Sequence, residues 1–186
     1  MTLVSLAAPE FDLDIALAYA TPDNVTGKQI YARADAQLHP EAAAALKRAV
    51  ALAAPLGLRL RIFDAFRPCE AQWQLWQAFP DPEFVADPRV GSNHSRGVAV
   101  DLTLVDAASG AALDMGTPFD DFTALSHHAR SDLPAEVQRN RAILLGLMTA
   151  AGWDWNRFEW WHYQLFEPRR FPLLADAAAP RRLMAG

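Results

Sequence analysis

Five histidines occur in the chain: His39, His94, His127, His128 and His162. Two of them stand beside carboxylates. His94 lies in Ser92-Asn93-His94-Ser95-Arg96-Gly97, and Asp101 follows it seven positions later. His162 comes three positions after an acid in Glu159-Trp160-Trp161-His162. Two imidazoles and one carboxylate form a three-ligand set with a fourth tetrahedral position left for water, the arrangement of a catalytic zinc site. A glutamate that stays near the metal without binding it can take that water's proton. Plainer readings exist for each part. A histidine near glycine in a loop can be a hydrogen-bonded turn residue, Asp101 can pair with Arg96 or Arg67, and Trp160 and Trp161 bury area whatever their neighbours do.

These residues must be positioned by regular elements. Leu58–Asp64 alternates, with Leu58, Leu60 and Ile62 on one face and Arg59, Arg61 and Phe63 on the other, which predicts a half-buried strand. Gly97–Leu104 alternates too: Val98, Val100, Leu102 and Leu104 share a face, and Asp101 points the other way, free to enter a cleft. Gly91–Arg96 is the loop that feeds this strand. Helices are expected over Pro40–Ala54, closed by Pro55 and Gly57, from Pro68 towards Phe79, and over about Pro134–Ala151 with Gly152 as the stop. Phe158–Phe166 is aromatic and strand-like. Residues 159 and 162 have opposite parity on a flat strand, so a bulge or twist near Trp160 and Trp161 is needed to bring both to one site. Strands mixed irregularly with helices predict an α+β fold, a small antiparallel sheet packed by helices.

With 186 residues, 52% hydrophobic and 21% charged, the chain fits one globular domain over 1–186. Residues 1–10 and 172–186 are expected to be peripheral tails, the second carrying part of the basic group Arg169, Arg170, Arg181 and Arg182. The net charge of −5 and the absence of a concentrated basic face argue against nucleic acid as a partner. Cys69 is the only cysteine, which excludes an internal disulfide and a multi-thiolate zinc site. It reads as a small packed residue. No apolar run has membrane-spanning length, and the acidic start reads as no secretory signal, so a cytoplasmic protein without membrane contact is expected. His127 and His128 read as polar-loop residues outside a ligand set, and His39 as a helix-entry residue.

The motifs are also recognisable. Ser92-x-His94-Ser95-Arg96-Gly97-x-Ala99-x-Asp101-Leu102-Thr103-Leu104 and Glu159-Trp160-Trp161-His162-Tyr163 resemble the two signatures of the zinc D-Ala-D-Ala dipeptidases, the family of the vancomycin-resistance dipeptidase. Asp64-Ala65-Phe66-Arg67-Pro68 is similar to the family's strand-end arginine motif. Tyr19-Ala20-Thr21-x-Asp23-Asn24-x-Thr26-Gly27 resembles its N-terminal block. Met115-Gly116-Thr117-Pro118-Phe119-Asp120 followed by Ser126-His127-His128 resembles its central loop. The likeness runs in order from Tyr19 to Phe166. It implies one zinc ion per chain on His94, Asp101 and His162, Glu159 as general base, and Arg67 stabilising the oxyanion. It also implies a substrate ammonium near Asp120 and the backbone of Tyr19, and a substrate carboxylate near Ser92 and Tyr31. The implied reaction is hydrolysis of the free dipeptide D-Ala-D-Ala to two D-Ala. The implied fold is the one shared with D,D-peptidases and the Hedgehog signalling domain.

Three other functions compete. A zinc D,D- or L,D-carboxypeptidase acting on peptidoglycan peptides would use the same metal kit, but Asp120 as an ammonium acceptor and the absence of a signal segment count against it. A non-catalytic zinc-binding module would need neither Glu159 nor Arg67. A serine hydrolase on Ser92 or Ser95 lacks the Gly-x-Ser-x-Gly elbow.

Overall fold

Among the described residues the chain forms ten strands and α-helices. In chain order these are β1 (Val4–Ser5), β2 (Leu13–Ile15), β3 (Gln37–Leu38), α1 (Pro40–Ala53), β4 (Leu58–Asp64), α2 (Cys69–Ala78), β5 (Ala99–Asp106), α3 (Ala135–Ala150), β6 (Asp154–Trp155) and β7 (His162–Gln164). The structure is a computed structural model that describes residues 2–82 and 84–185. Helix α1 begins where Pro40 can occupy the first turn, and the His39 ring accepts a hydrogen bond from the Glu41 amide at 3.2 Å. Its buried side is mostly alanine (Ala42, Ala45, Ala49 and Ala53), so the helix can approach its neighbours closely. It packs against β4 and α3. Leu60, Ile62, Val100, Leu102 and Leu104 are all fully buried and form the core side of the sheet.

The main sheet has the order β2-β4-β5-β7-β6, and β1 and β3 form a separate antiparallel pair. Three of the four pairings in the main sheet are antiparallel, as expected. The fourth is not: edge strand β2 runs parallel to β4. Three residues are too few for alternation to be read, so neither this strand nor its direction was visible in the sequence.

A register shift between Ile62 and Asp64 sets up the site. Up to Ile62 the pairing follows Leu58 opposite Asp106, Leu60 opposite Leu104 and Ile62 opposite Leu102; then Asp64 stands opposite Asp101. Without the extra residue, Asp64 would continue the apolar face of Leu60 and Ile62. The bulge turns it onto the face of Asp101. Asp101 in turn stands opposite His162 on β7. Asp64, Asp101 and His162 therefore form one row across three neighbouring strands.

Two expectations are corrected. The aromatic stretch Phe158–Phe166 is a strand only over His162–Gln164, and Glu159 lies in the connection from β6 to β7. There the Glu159 amide donates to the Asn156 carbonyl and the His162 amide donates to the Glu159 carbonyl, each at 3.4 Å. The parity conflict disappears because Glu159 is not on the strand. The segments 1–10 and 172–186 are not peripheral either, although Met1 and Gly186 lie outside the described residues. Leu3 and Leu6 are buried, as are Ala179 and Leu183. Asp176 accepts hydrogen bonds from the Leu183 and Met184 amides, and its own amide donates to Glu70. Isolated leucines in an otherwise polar or alanine-rich stretch give no periodic signal, yet they fill the core. Among the described residues no helix is long and apolar enough to cross a membrane.

Candidate active site

His94 opens a 3-10 turn, His94–Arg96, that Gly97 ends with φ at +68°. A Cβ at Gly97 would sit 2.9 Å from the Leu3 side chain and 3.2 Å from the His39 amide, so glycine is needed here for both backbone and space. The turn delivers the His94 ring over the Asp101–His162 row. Its Nδ1 lies 2.8 Å from the Ala65 carbonyl, which can only accept, so the proton sits on Nδ1 and Nε2 presents a lone pair. On His162, Nε2 lies 3.0 Å from Gln164 Oε1, and Asn93 donates to the same oxygen at 3.0 Å. His162 Nε2 thus donates, and Nδ1 turns its lone pair inward.

The three inward groups are close. His94 Nε2 to His162 Nδ1 is 3.1 Å, His162 Nδ1 to Asp101 Oδ1 is 2.9 Å, and His94 Nε2 to Asp101 Oδ2 is 3.3 Å. Metal–nitrogen distances of about 2.0–2.1 Å in a tetrahedron place ligand atoms roughly 3.3 Å apart. Two lone pairs facing each other at 3.1 Å repel unless a cation lies between them. The donor set and its spacing fit a divalent metal, and among the described residues this is the cluster able to hold one.

Around the cluster is a cavity of about 200 Å3, lined by Tyr19, Arg67, Ser92, Asp120, Glu159 and Trp161 among others. That is below the roughly 300–1,000 Å3 of sites for drug-sized ligands, so the ligand is small. Glu159 Oε2 is 3.9 Å from His162 Nδ1 and is held by Asn156 Nδ2 at 2.6 Å. Burial pushes its carboxyl up to about 7, with His162 pulling down and Asp101 and Asp120 pushing further up. Burial, reinforced by Asp101, likewise takes Asp120 up to about 7.

Arg67 is fixed from three sides. Its Nε and Nη2 both reach Asp64 Oδ2 at 2.8 Å, and its Nη1 donates to Gln72 Oε1 at 3.0 Å. Tyr31 donates to the other oxygen of Asp64 at 2.9 Å, and the guanidinium lies 4.9 Å above the Tyr19 ring. One N–H on each Nη remains unused by these partners.

The cavity thus gathers His94, Asp101, His162, Glu159, Arg67, Ser92, Asp120 and Tyr19 from six separate stretches of chain. Ser92 is buried, and its hydroxyl accepts from the His94 amide at 3.2 Å. Two groups expected near the substrate already have partners within the protein. Tyr31 is fully buried and does not line the cavity, and its hydroxyl donates to Asp64, the carboxylate that holds Arg67. The backbone carbonyl of Tyr19 already accepts from the Ile30 and Tyr31 amides, and its phenol instead donates to Asp120 Oδ2 at 2.8 Å. His128 packs against Trp155 and Tyr163 away from the cluster, and burial takes it down to about 4. Burial raises the Cys69 thiol, in keeping with a packed residue.

Sequence reasoning missed the residues that hold the others: Asp64, Gln72, Asn156 and Gln164. Only Asp64 left a signal, a carboxylate where the apolar alternation of Leu58, Leu60 and Ile62 should continue.

Comparison with known proteins agrees with this geometry. The peptidase M15 family model described as D-Ala-D-Ala dipeptidase matches residues 1–176. A D-alanyl-D-alanine dipeptidase of Escherichia coli K12 is 49% identical over 174 residues, covering 94% of this chain and 90% of the relative. Enzymes of the same name from Enterococcus faecalis and Streptomyces coelicolor are 33% and 34% identical, each covering 80% of this chain and 84% of the relative. The chain therefore belongs to the M15 family of D-Ala-D-Ala dipeptidases and is a peptidase.

Proposed function

We propose that this peptidase hydrolyses the free dipeptide D-Ala-D-Ala to two D-Ala, with one zinc ion per chain held by His94, Asp101 and His162. The observation that carries the reading is the convergence of three inward-facing ligand atoms with Glu159 and Arg67 in one small cavity. A bound zinc ion supplies a water acidified to a pKa of around 7 and polarises the scissile carbonyl. Glu159, held by Asn156 beside the cluster, would be placed to take a proton from that water and to return it to the leaving amine. Arg67 offers its two unused N–H groups to the developing oxyanion, with a charge that never titrates and a fork that Asp64 and Gln72 keep from swinging.

Charge placement supports the substrate. Asp120 meets the ammonium at one end of the cavity, and Tyr19, by donating to Oδ2, leaves Oδ1 for that contact. Ser92 meets the carboxylate at the other end. A blocked amine would leave Asp120 buried without its partner, a penalty that rejects longer or acylated peptides. The test is release of D-Ala from D-Ala-D-Ala and from its N-acetyl form, before and after chelation with zinc add-back. Chelator-sensitive cleavage of the free dipeptide alone is expected. Equal cleavage of the acetylated form would overturn Asp120 as the ammonium contact, and cleavage of neither would overturn the substrate.

A further inference from the structure

Asp120 lines two cavities. One is the catalytic cavity, and the other is a larger groove of about 660 Å3. The groove is walled by Leu17, Ala20, Val25, Phe63 and Phe119, with Thr21, Asp23 and Asn24 at its side. Among the residues lining either space, Asp120 is the one they share. Its backbone is left-handed, with φ at +58°, a conformation uncommon for residues with a side chain. Its carboxylate is tied to Tyr19, which lines the catalytic side, while Phe119 packs on Tyr19, Phe63 and Trp161. Asp120 is thus the polar residue at the boundary of both spaces, flanked by the Phe119 ring, which lines the groove and packs on Tyr19 and Trp161 of the catalytic cavity.

We infer that Asp120 is a steric plug as well as a charge, and that the groove behind it is a closed-off path for the acyl side of longer substrates. The inference rests on the reading that places the substrate ammonium at Asp120. A substituent on that nitrogen would have to pass the carboxylate, and the groove is the other space that Asp120 lines. Its mostly apolar lining suits a neutral acyl or peptidyl chain and offers no cationic group for an anionic one. The distinction between a dipeptidase and an enzyme that trims acylated peptides then resides largely in one side chain, not in the metal site. The αL backbone matters for the test, because glycine adopts it at no steric cost and asparagine tolerates it.

The experiment compares Asp120→Gly, Asp120→Ala and Asp120→Asn with the unaltered protein, all zinc-loaded, on D-Ala-D-Ala, N-acetyl-D-Ala-D-Ala and N-hexanoyl-D-Ala-D-Ala. Folding is checked by circular dichroism and zinc content. Asn keeps the volume and removes the charge; Gly and Ala remove both. All three variants are expected to lose kcat/KM on the free dipeptide. Gly and Ala are expected to exceed Asn on both acylated substrates by about tenfold or more, since only they open the passage. Equal rates for Asn and Gly on the acylated substrates, with the free-dipeptide loss intact, would overturn the plug and leave the ammonium reading standing. An unchanged kcat/KM on the free dipeptide in Asp120→Asn would instead overturn the ammonium reading itself. If Asp120→Ala proves unstable at this positive φ, Asp120→Gly carries the same comparison.

Discussion

Arg67 and Asp64 allow a stability effect to be separated from a catalytic one. Asp64 is fully buried, and its Oδ2 receives both contacts from Arg67, while Oδ1 has the Tyr31 hydroxyl. Replacing Arg67 by Met strips the carboxylate of its counter-charge and strands Gln72 Oε1 as well. Breaking a buried pair from one side costs about 3–5 kcal/mol. That is a large share of the roughly 5–15 kcal/mol by which a domain is stable. The double variant Asp64→Asn/Arg67→Met removes both charges and should recover most of that loss, because the substituted amide oxygen can still accept from Tyr31. Catalysis should not recover. Loss of an oxyanion donor costs about 3 kcal/mol or more, over roughly 100-fold in kcat. Urea unfolding of the single and double variants, with kcat/KM on D-Ala-D-Ala measured in parallel, separates the two effects. Near wild-type turnover in the double variant would refute the oxyanion role, and a wild-type unfolding midpoint in Arg67→Met would refute the buried-pair reasoning.

Other consequences of the site can be measured separately. Glu159→Gln should cut kcat by about 10²–10⁴-fold while the protein still binds one equivalent of zinc, and full turnover would remove it as the base. Because Glu159 is raised from 4.5 to about 7, the folded metal-free protein holds its proton more tightly than the unfolded chain. Its contribution is complete below 4.5 and lost as pH rises through about 7, so the stability of the wild type relative to Glu159→Gln should fall across that window; a constant difference would contradict the burial argument. Gln164→Met removes the acceptor of His162 Nε2 and should weaken zinc by about 10–100-fold in a competition titration, with unchanged affinity counting against it. Gly97→Ala forces a Cβ against Leu3 and the His39 amide at a positive φ, so it should cost more than about 1 kcal/mol in urea unfolding.

Much of this was readable in the chain, for identifiable reasons. The strands Leu58–Asp64 and the one carrying Asp101 alternate over enough residues to announce themselves, and the helix starts carry proline signals. His94, Asp101, His162, Glu159 and Arg67 sit in motifs of fixed spacing, and the structure brings all five to one cavity. What stayed hidden depends on pairing between distant segments. β1, β2, β3 and β6 are two or three residues long and exist only because a neighbouring strand supplies their hydrogen bonds. The turn that frees Glu159 from the strand, and the roles of Gln72 and Gln164, follow from tertiary neighbours that no local pattern encodes. The Tyr31–Asp64 contact was equally hidden, because a tyrosine near a site in sequence looks the same whether its hydroxyl meets a ligand or a buried carboxylate.

The one-residue bulge in β4 also bears on how such a molecule can change over time. It is present or absent, with no half-inserted form, and its loss would swing Asp64 from beneath Arg67 to the core side of the sheet. A lineage therefore cannot adjust the anchoring of its arginine by small steps through that strand. The walls contributed by Pro82, Phe84 and Val85, and by Asp120 and Phe122, lie outside the ladder and carry no such restriction. Drift can reshape what enters the cavity while the reacting groups stay where the ladder puts them, so new substrates are more accessible to this architecture than new chemistry.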